Sequence, residues 1–284
     1  MQVTRLDVEG FLRAAGEFLG AREAEHNLLL GLTGRLLGDP HRYGDDDPYF
    51  AVVEDAGRVV TAALRTPPYN LVLAETDDPI AYAALAEDVY GVFHGLPGVS
   101  GPTATIGAFV SAWGALTGVG ARRAMSQRIY QATEAIAPAE VGGGMRDAGD
   151  SDRELALDWV RAFMLEVIPE DTPEDAAGFL ARNAADPAGR LVFWDDGSPV
   201  SIAGCGAPTP RGIRIGPVYT PPELRGRGYA SALTAELTGQ LLAGGRDFCF
   251  LYTDLANPVS NSIYTRIGYR PVTDVELWRF EAVK

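Results

Sequence analysis

A glycine-rich turn between a short strand and a long helix constrains this chain more than any other stretch. Residues 214–232 read R-I-G-P-V-Y-T-P-P-E-L-R-G-R-G-Y-A-S-A. Alternating β-branched residues predict a strand that ends at a pair of prolines. Apolar residues at helical spacing then predict a helix. The segment Arg225–Ala230, called the glycine turn below, therefore lies directly before a helix N-terminus.

The glycine turn is suited to binding a diphosphate. Gly226 and Gly228 let a bulky ligand approach the backbone, and the free N–H groups of a helix start favour an anion. Arg225 and Arg227 add charge that matches phosphate. A P-loop is excluded because it needs Gly-Lys-Ser/Thr, and the chain's only lysine is Lys284. The alternative interpretation is an ordinary tight turn with two solvated arginines.

Two motifs resemble those of the GNAT superfamily of acyl-CoA-dependent N-acyltransferases. Arg225, Gly228 and Ala230 match its pattern Arg/Gln-x-x-Gly-x-Gly/Ala, and residues 257–269 read N-P-V-S-N-S-I-Y-T-R-I-G-Y. The resemblance is strong over about Arg190 to Phe280. It implies direct transfer of an acyl group, acetyl by family default, from acyl-CoA to an amine.

The resemblance also implies roles for individual residues. The backbone of Val218-Tyr219-Thr220 would bind the pantetheine arm in a slot where this strand splays from the next one. The Asn257 side chain would contact the same arm, and Tyr264 would protonate the leaving thiolate. The alternatives are a sheet strand, an asparagine helix cap and a core tyrosine. The implied cofactor-binding residues are Val218, Tyr219, Thr220, Arg225, Gly226, Arg227, Gly228, Tyr229, Ala230 and Asn257, and the implied catalytic residue is Tyr264.

One position departs from the family pattern. Many relatives carry a carboxylate base on the strand before the glycine turn, whereas residues 213–218 hold no carboxylate. Deprotonation of the amine would then use a chain of waters, bulk solvent, or a nearby carboxylate. The candidate carboxylates are Glu166, Glu170, Asp171 and Asp254.

The pattern of elements occurs twice along the chain. The hairpin-like runs 50–57 and 191–197 each follow two amphipathic helices and precede a strand and a helix. A small, glycine-rich segment, 138–144, separates the two series. This order predicts an internal duplication with two GNAT-like domains, 1–137 and 138–284. The resemblance implies the fold class α+β (α/β/α), in which each domain is a mixed, mostly antiparallel sheet flanked by helices.

The first domain lacks the features expected of an acyl-CoA site. Glu75, Asp77 and Asp78 stand where the second domain has its arginines. Repulsion between like charges costs about 1–4 kcal/mol at this kind of site. A helix N-terminus offers an anion only about 0.3–1 kcal/mol. Trp113 stands near the counterpart position of Tyr264 and has no ionisable proton. We expect coenzyme A to bind only the second domain.

Composition narrows the possible partners. The net charge of −14 argues against nucleic acid and anionic membrane surfaces. Two cysteines give no disulfide framework, and three scattered histidines give no metal spacing. The uncharged run 95–121 is too rich in Gly, Pro, Ser and Thr for a membrane span, and the first residues do not read as a signal peptide. A reducing cytoplasm is the expected location.

The sequence thus predicts an acetyl-CoA-dependent N-acetyltransferase that acts on a small-molecule amine as a monomer or homodimer, without a metal. Two alternatives stay open. One is a non-catalytic acyl-CoA-binding sensor or partner protein, and the other is an enzyme that acetylates protein N-termini or lysines.

Overall fold

The computed structural model describes residues 1–139, 141–167 and 175–281, which form two compact units. Unit 1 comprises Met1–Gln127 and Thr273–Lys284, and unit 2 comprises Arg128–Val272. The boundary predicted between residues 137 and 138 lies inside unit 2. The C-terminal segment belongs to unit 1, so each end of the chain contributes to the same compact body.

The order β-α-α-β-β-β-α-β-α-β occurs twice along the chain. The first ten elements are β1 (Gln2–Leu6), α1 (Val8–Ala21), α2 (Asn27–Gly38), β2 (Tyr49–Asp55), β3 (Arg58–Arg65), β4 (Leu71–Leu73), α3 (Pro79–Val92), β5 (Gly98–Pro102), α4 (Ile106–Thr117) and β6 (Ala121–Ala132). The next ten are β7 (Gly144–Asp147), α5 (Arg153–Val167), α6 (Ala176–Ala184), β8 (Arg190–Asp195), β9 (Pro199–Gly206), β10 (Gly212–Tyr219), α7 (Tyr229–Ala243), β11 (Phe248–Asp254), α8 (Pro258–Arg266) and β12 (Arg270–Phe280). Single 3₁₀ turns lie at Asp150–Asp152 and Pro222–Leu224.

Each unit contains a mixed, mostly antiparallel sheet. In unit 1, strands β1 to β4 pair antiparallel in sequence order and β4 pairs parallel with β5. In unit 2, strands β7 to β10 pair in the same way and β10 pairs parallel with β11. Residues 275–279 of β12 pair antiparallel with β5, so the C-terminal strand extends the sheet of unit 1. The predicted α+β class is confirmed.

Successive residues of a strand point to opposite sides of the sheet. Apolar residues therefore lie on both faces of each sheet, and helices cover both faces. In unit 2, Val192 and Trp194 pack in the core beneath α7, whereas Phe193 packs with Ala156 and Trp159 of α5. In unit 1, the residues of β2 divide in the same way between a core with α3 and α4 and a core with α1 and α2.

A substitution at Phe280, at the end of β12, tests how much the C-terminal strand contributes to the stability of unit 1. The buried Phe280 ring lies 5.7 Å from the ring of Trp113 on α4. Phe280→Ala should lower the free energy of unfolding by about 3–5 kcal/mol, the range for emptying an aromatic core site. Urea unfolding followed by circular dichroism measures this change.

Leu165→Ala on α5 is the matched control, since Leu165 is 79 % exposed. It should change the free energy of unfolding by less than about 0.5 kcal/mol. Equal, small changes in both variants would show that β12 does not contribute to the stability of unit 1.

Candidate functional site

The glycine turn joins the 3₁₀ turn after β10 to the first residue of α7. Gly226 and Gly228 have φ angles of +78° and +86°, in the left-handed region that favours glycine. Gly228 is the N-cap residue of α7, and among the described residues no side chain caps the first N–H groups of this helix. Those N–H groups and the positive end of the helix dipole are therefore open to an anion.

The two arginines of the glycine turn have different surroundings. Arg225 donates from Nη2 to both carboxylate oxygens of Glu166 on α5, at 2.7 and 2.9 Å, and from Nε to the Thr220 carbonyl at 2.9 Å. Arg227 is exposed and, among the described residues, has no hydrogen bond or ion pair. Arg225 thus shapes the turn, whereas Arg227 leaves its full charge available for a ligand.

Two further residues of the turn contribute backbone more than side chain. The Tyr229 ring is buried in the core of unit 2, and its hydroxyl donates to Asp196 in the β8–β9 hairpin at 2.8 Å. Ala230 is half-buried in the first turn of α7. Any contact of these residues with a bound anion would therefore be made by their N–H groups.

Strands β10 and β11 pair over only part of their length. Their register runs from Gly212 beside Phe248 to Arg214 beside Phe250, and it includes no later pair among the described residues. A β-bulge between Ile215 and Val218 shifts the pairing of β10 with β9. Such a bulge bends a strand and increases its twist. The end of β10 therefore has one edge without a partner in β11, as the predicted slot requires.

Ser201 decides which backbone groups of β10 face that open edge. Its hydroxyl donates to the Tyr219 carbonyl at 3.0 Å and lies 2.9 Å from the Thr220 hydroxyl. The Tyr219 carbonyl is thus directed toward β9. Since neighbouring residues of a strand alternate in direction, the N–H and C=O of Val218 face away from β9. Ser201 was not predicted as a site residue, and its only signal is a polar residue within an apolar strand.

Asn261 connects the start of α8 to the end of β11. Its Oδ1 accepts a short hydrogen bond from the Thr253 hydroxyl, and its Nδ2 donates to the Asp254 carbonyl at 3.2 Å. Asn257, the predicted pantetheine contact, has an exposed side chain directly before α8. Its carbonyl accepts from the Asn261 N–H at 3.2 Å. Asn261 was missed by the sequence analysis because asparagine within a helix is usually solvated.

Tyr264 lies on α8 two turns after Asn257, which places both residues on one helix face. Its half-buried ring packs edge-on against Tyr269, with 5.9 Å between ring centroids. Burial raises the pKa of Tyr264 to about 12. Its hydroxyl has no hydrogen-bond partner within the described ranges. The ring therefore belongs to the core, as the alternative interpretation held, while the hydroxyl keeps a free proton.

Two of the four candidate carboxylate bases, Glu166 and Asp254, lie among the described residues. Glu166 binds Arg225, and Asp254 accepts the Ala256 N–H at 2.8 Å in the turn before α8. Both carboxylates thus already have partners in unit 2. Glu170 and Asp171 lie outside the described residues.

The counterpart of the glycine turn in unit 1 has a closed helix N-terminus. Asp78 caps α3 by accepting the Ile80 N–H at 2.9 Å. Glu75, just after β4, accepts a hydrogen bond from Arg22 at 2.7 Å. Trp113 is buried and stacks on Phe109. A carboxylate thus occupies the position where α7 leaves its N–H groups open.

Two searches of the described ranges bear on other classes of site. No group of three or more His, Cys, Asp or Glu side chains could hold a metal ion there. No helix in those ranges has the length and hydrophobicity needed to cross a bilayer.

Comparisons with known proteins identify the fold of this chain. The FR47-like protein family model matches residues 202–279, which include the glycine turn and α8. A GCN5-related N-acetyltransferase from Sphaerobacter thermophilus superposes with a TM-score of 0.59 at 17 % identity, over 98 % of this chain and 94 % of that one. The chain has the GNAT fold. The resemblance read from the two motifs is confirmed at this level.

Two other solved structures share this fold along nearly their whole length. A Drosophila protein superposes with a TM-score of 0.69 at 14 % identity, covering 98 % of both chains. A tandem GNAT protein from the clavulanic acid biosynthesis pathway has a TM-score of 0.54 at 13 % identity, over 99 % of this chain and 98 % of that one. A search of curated protein sequences gives no significant match.

Asn261 should be a structural residue of this GNAT fold. Asn261→Ala removes the acceptor of the buried Thr253 hydroxyl, whereas the Asp254 carbonyl keeps its hydrogen bond from the Asn257 N–H at 3.0 Å. The free energy of unfolding should fall by about 1–3 kcal/mol, as expected for a buried polar group left unpaired. Ser262→Ala is the control, because Ser262 is exposed and its hydroxyl accepts a hydrogen bond from Arg266, its one side-chain hydrogen bond within the described ranges. Urea unfolding that gives equal values for both variants would refute the anchoring role.

Proposed function

We propose that this protein is an acetyl-CoA-dependent N-acetyltransferase that acetylates the primary amine of a small molecule. The observation that carries the proposal is the uncapped N-terminus of α7, preceded by Gly226 and Gly228 and adjacent to the free edge of β10. A diphosphate and an extended pantetheine arm need these two features side by side.

The residues present fit coenzyme A. An added Cβ at Gly226 meets nothing within 4 Å, so the turn borders open space. An added Cβ at Gly228 lies 3.0 Å from Val141, so this glycine leaves little room for a side chain. The diphosphate would be held by the N–H groups at the start of α7 and by Arg227. Val218 would pair with the pantetheine arm through its backbone, and Asn257 would contact the arm by its side chain.

Acyl-CoA supplies an acyl group activated as a thioester, so its transfer to an amine releases a thiol. Tyr264 holds a proton at its hydroxyl oxygen, and burial keeps this proton in place at neutral pH. An ordinary thiol has a pKa of about 8.5, well below that of Tyr264, so full proton transfer from the tyrosine to the thiolate is unfavourable. Tyr264 therefore acts chiefly by donating a hydrogen bond to the sulfur as negative charge develops there.

The amine must lose a proton as the new C–N bond forms. Glu166 is held by Arg225 in a pair whose side chains are 44 % and 46 % exposed. Such exposed pairs contribute only about 0–1 kcal/mol. The pair can therefore open when a ligand competes for Arg225, which leaves Glu166 as a carboxylate within unit 2 that can accept a proton, directly or through water.

The cysteines of unit 2 favour direct transfer over a covalent intermediate. Cys205 and Cys249 are both buried, and burial raises their pKa values to about 11 and about 12. A thiol is nucleophilic only as a thiolate, which these environments disfavour. The same free thiols support a reducing, cytoplasmic location as part of this proposal. A monomer or homodimer remains the proposed assembly.

Acetylation assays separate the proposal from its two alternatives. Purified protein with acetyl-CoA is offered a panel of small primary amines, a peptide with a free N-terminus and a lysine peptide, and released thiol is measured. Release with a small amine supports the proposal. Release with peptides alone assigns a protein N-acetyltransferase. Saturable coenzyme A binding without release in any mixture assigns a non-catalytic acyl-CoA-binding protein.

Gly228→Val should abolish coenzyme A binding. A β-branched side chain disfavours the positive φ angle and would fill the space beside α7. Gly245→Val is the matched control, because Gly245 has a φ of +98° at the other end of α7 and open space around an added Cβ. Isothermal calorimetry should find one coenzyme A site per chain for the wild-type protein and also for the Gly245→Val variant.

Two calorimetric results would count against this assignment. Normal binding by a folded Gly228→Val variant would place the site elsewhere. Two equivalent sites per wild-type chain would show that the closed N-terminus of α3 in unit 1 still accepts coenzyme A.

Tyr264→Phe keeps the packed ring and removes only the hydroxyl proton. Turnover with an accepted amine should fall by ~10²–10³-fold, as expected for the loss of one hydrogen bond to developing negative charge, while the Kd for coenzyme A stays unchanged. Tyr252→Phe is the control on β11, where the Tyr252 ring packs beneath Arg214. If Tyr252→Phe loses turnover and Tyr264→Phe does not, the hydrogen-bond donor to the sulfur is Tyr252, and Tyr264 serves only the core.

A further inference from the structure

Unit 1 contains an open pocket of about 610 Å³. It lies where β1 and β3 end, where β2 begins, and beside the C-terminal end of α3. The counterpart of the glycine turn is at the opposite, N-terminal end of α3. The pocket is therefore separate from the position that corresponds to the proposed coenzyme A site, and its interpretation does not depend on the proposed function.

Arg65, at the end of β3, is the main polar group of this pocket. Its side chain is only 7 % exposed, and its guanidinium lies 4.2 Å above the Phe93 ring. Nε donates to the Tyr69 carbonyl at 2.9 Å. In the described part of the chain, the two terminal nitrogens have no hydrogen bond and no carboxylate within 4 Å. The two terminal nitrogens are not among the fully buried atoms, so their four N–H donors reach the pocket and are available to a ligand.

An arginine with unpaired donors at an open pocket is suited to binding an anion. Burial lowers the pKa of Arg65, and the charge of Asp46 raises it. One hydrogen bond and one aromatic contact offset only part of the loss of hydration of a guanidinium. A carboxylate satisfies the remaining donors best, because its two oxygens match the guanidinium fork.

The rest of the pocket limits which carboxylate fits. Asp46 and Asp47 are exposed at its rim, and they favour a positive group beside the bound anion. The second lining arginine, Arg5, already lies 3.5 Å from Asp88, which also accepts the Tyr49 hydroxyl at 2.7 Å. Apolar walls complete the pocket, formed by Leu6, Phe50, Pro67, Pro68, Val92 and Phe93.

We propose that this pocket binds a small amino acid with an apolar side chain. Arg65 holds the α-carboxylate, Asp46 and Asp47 attract the α-ammonium group, and the apolar walls contact the side chain. Unit 1 then carries a ligand site of its own.

Calorimetry with the full chain tests this proposal, using L-leucine and L-phenylalanine as probes. At least one should bind saturably at one site per chain, with a Kd below about 1 mM. Two analogues of leucine dissect the recognition. 3-Methylbutylamine lacks the carboxylate and should not bind, and 4-methylpentanoate lacks the amine and should bind more weakly than leucine.

Arg65→Gln should weaken binding of the amino acid by roughly 10- to 100-fold, as expected for loss of charged hydrogen bonds. Arg58→Gln is the matched control, since Arg58 is exposed at the other end of β3 and should leave binding unchanged. Circular dichroism establishes that each variant is folded.

If Arg65→Gln does not fold, the double variant Asp46→Asn with Asp47→Asn provides the test, because both side chains are exposed. The double variant should bind leucine more weakly and should bind 4-methylpentanoate with unchanged affinity. The proposal is overturned if neither probe binds, if 3-methylbutylamine binds as tightly as leucine, or if the double variant weakens both ligands equally.

Discussion

The open N-terminus of α7 is the feature on which the candidate site of unit 2 depends. A helix start has N–H groups that need an acceptor, and most helices supply one from a capping side chain. Gly228 cannot supply it, so the acceptor must come from water or from a ligand. A helix N-terminus without a capping side chain is a suitable anion site, because a bound anion supplies the missing acceptor.

Unit 1 shows the opposite solution at the corresponding place. Asp78 caps α3 directly, and Glu75 binds Arg22, which follows α1. In unit 2 the ion pair is reversed, because Glu166 lies on the first helix and Arg225 follows the strand. The two units thus keep one salt bridge between the same pair of elements with its charges exchanged. That exchange decides which unit presents positive charge near a helix N-terminus.

Much of the fold could be predicted from the sequence, because periodicity and turn residues act locally. The sequence analysis found both hairpins and the strand-turn-helix around Gly228. It did not predict β5 or β12 as strands. Their pairing joins residues 98–102 to residues 275–279, and no local pattern reports a contact of such long range. The uncharged run 95–121 contains both β5 and α4.

The candidate site, too, has features that local sequence predicts and features that only the tertiary structure shows. By itself the sequence determined that glycines precede a helix, that arginines accompany them, and that a tyrosine follows two turns after Asn257, because these relations are set by covalent spacing. Only the tertiary structure decided that Arg225 is held by Glu166, that Ser201 hydrogen-bonds the end of β10, and that Arg65 lines a pocket with its terminal N–H donors unpaired. Each of those facts depends on which distant side chain packs beside a residue, and spacing along the chain carries no record of it.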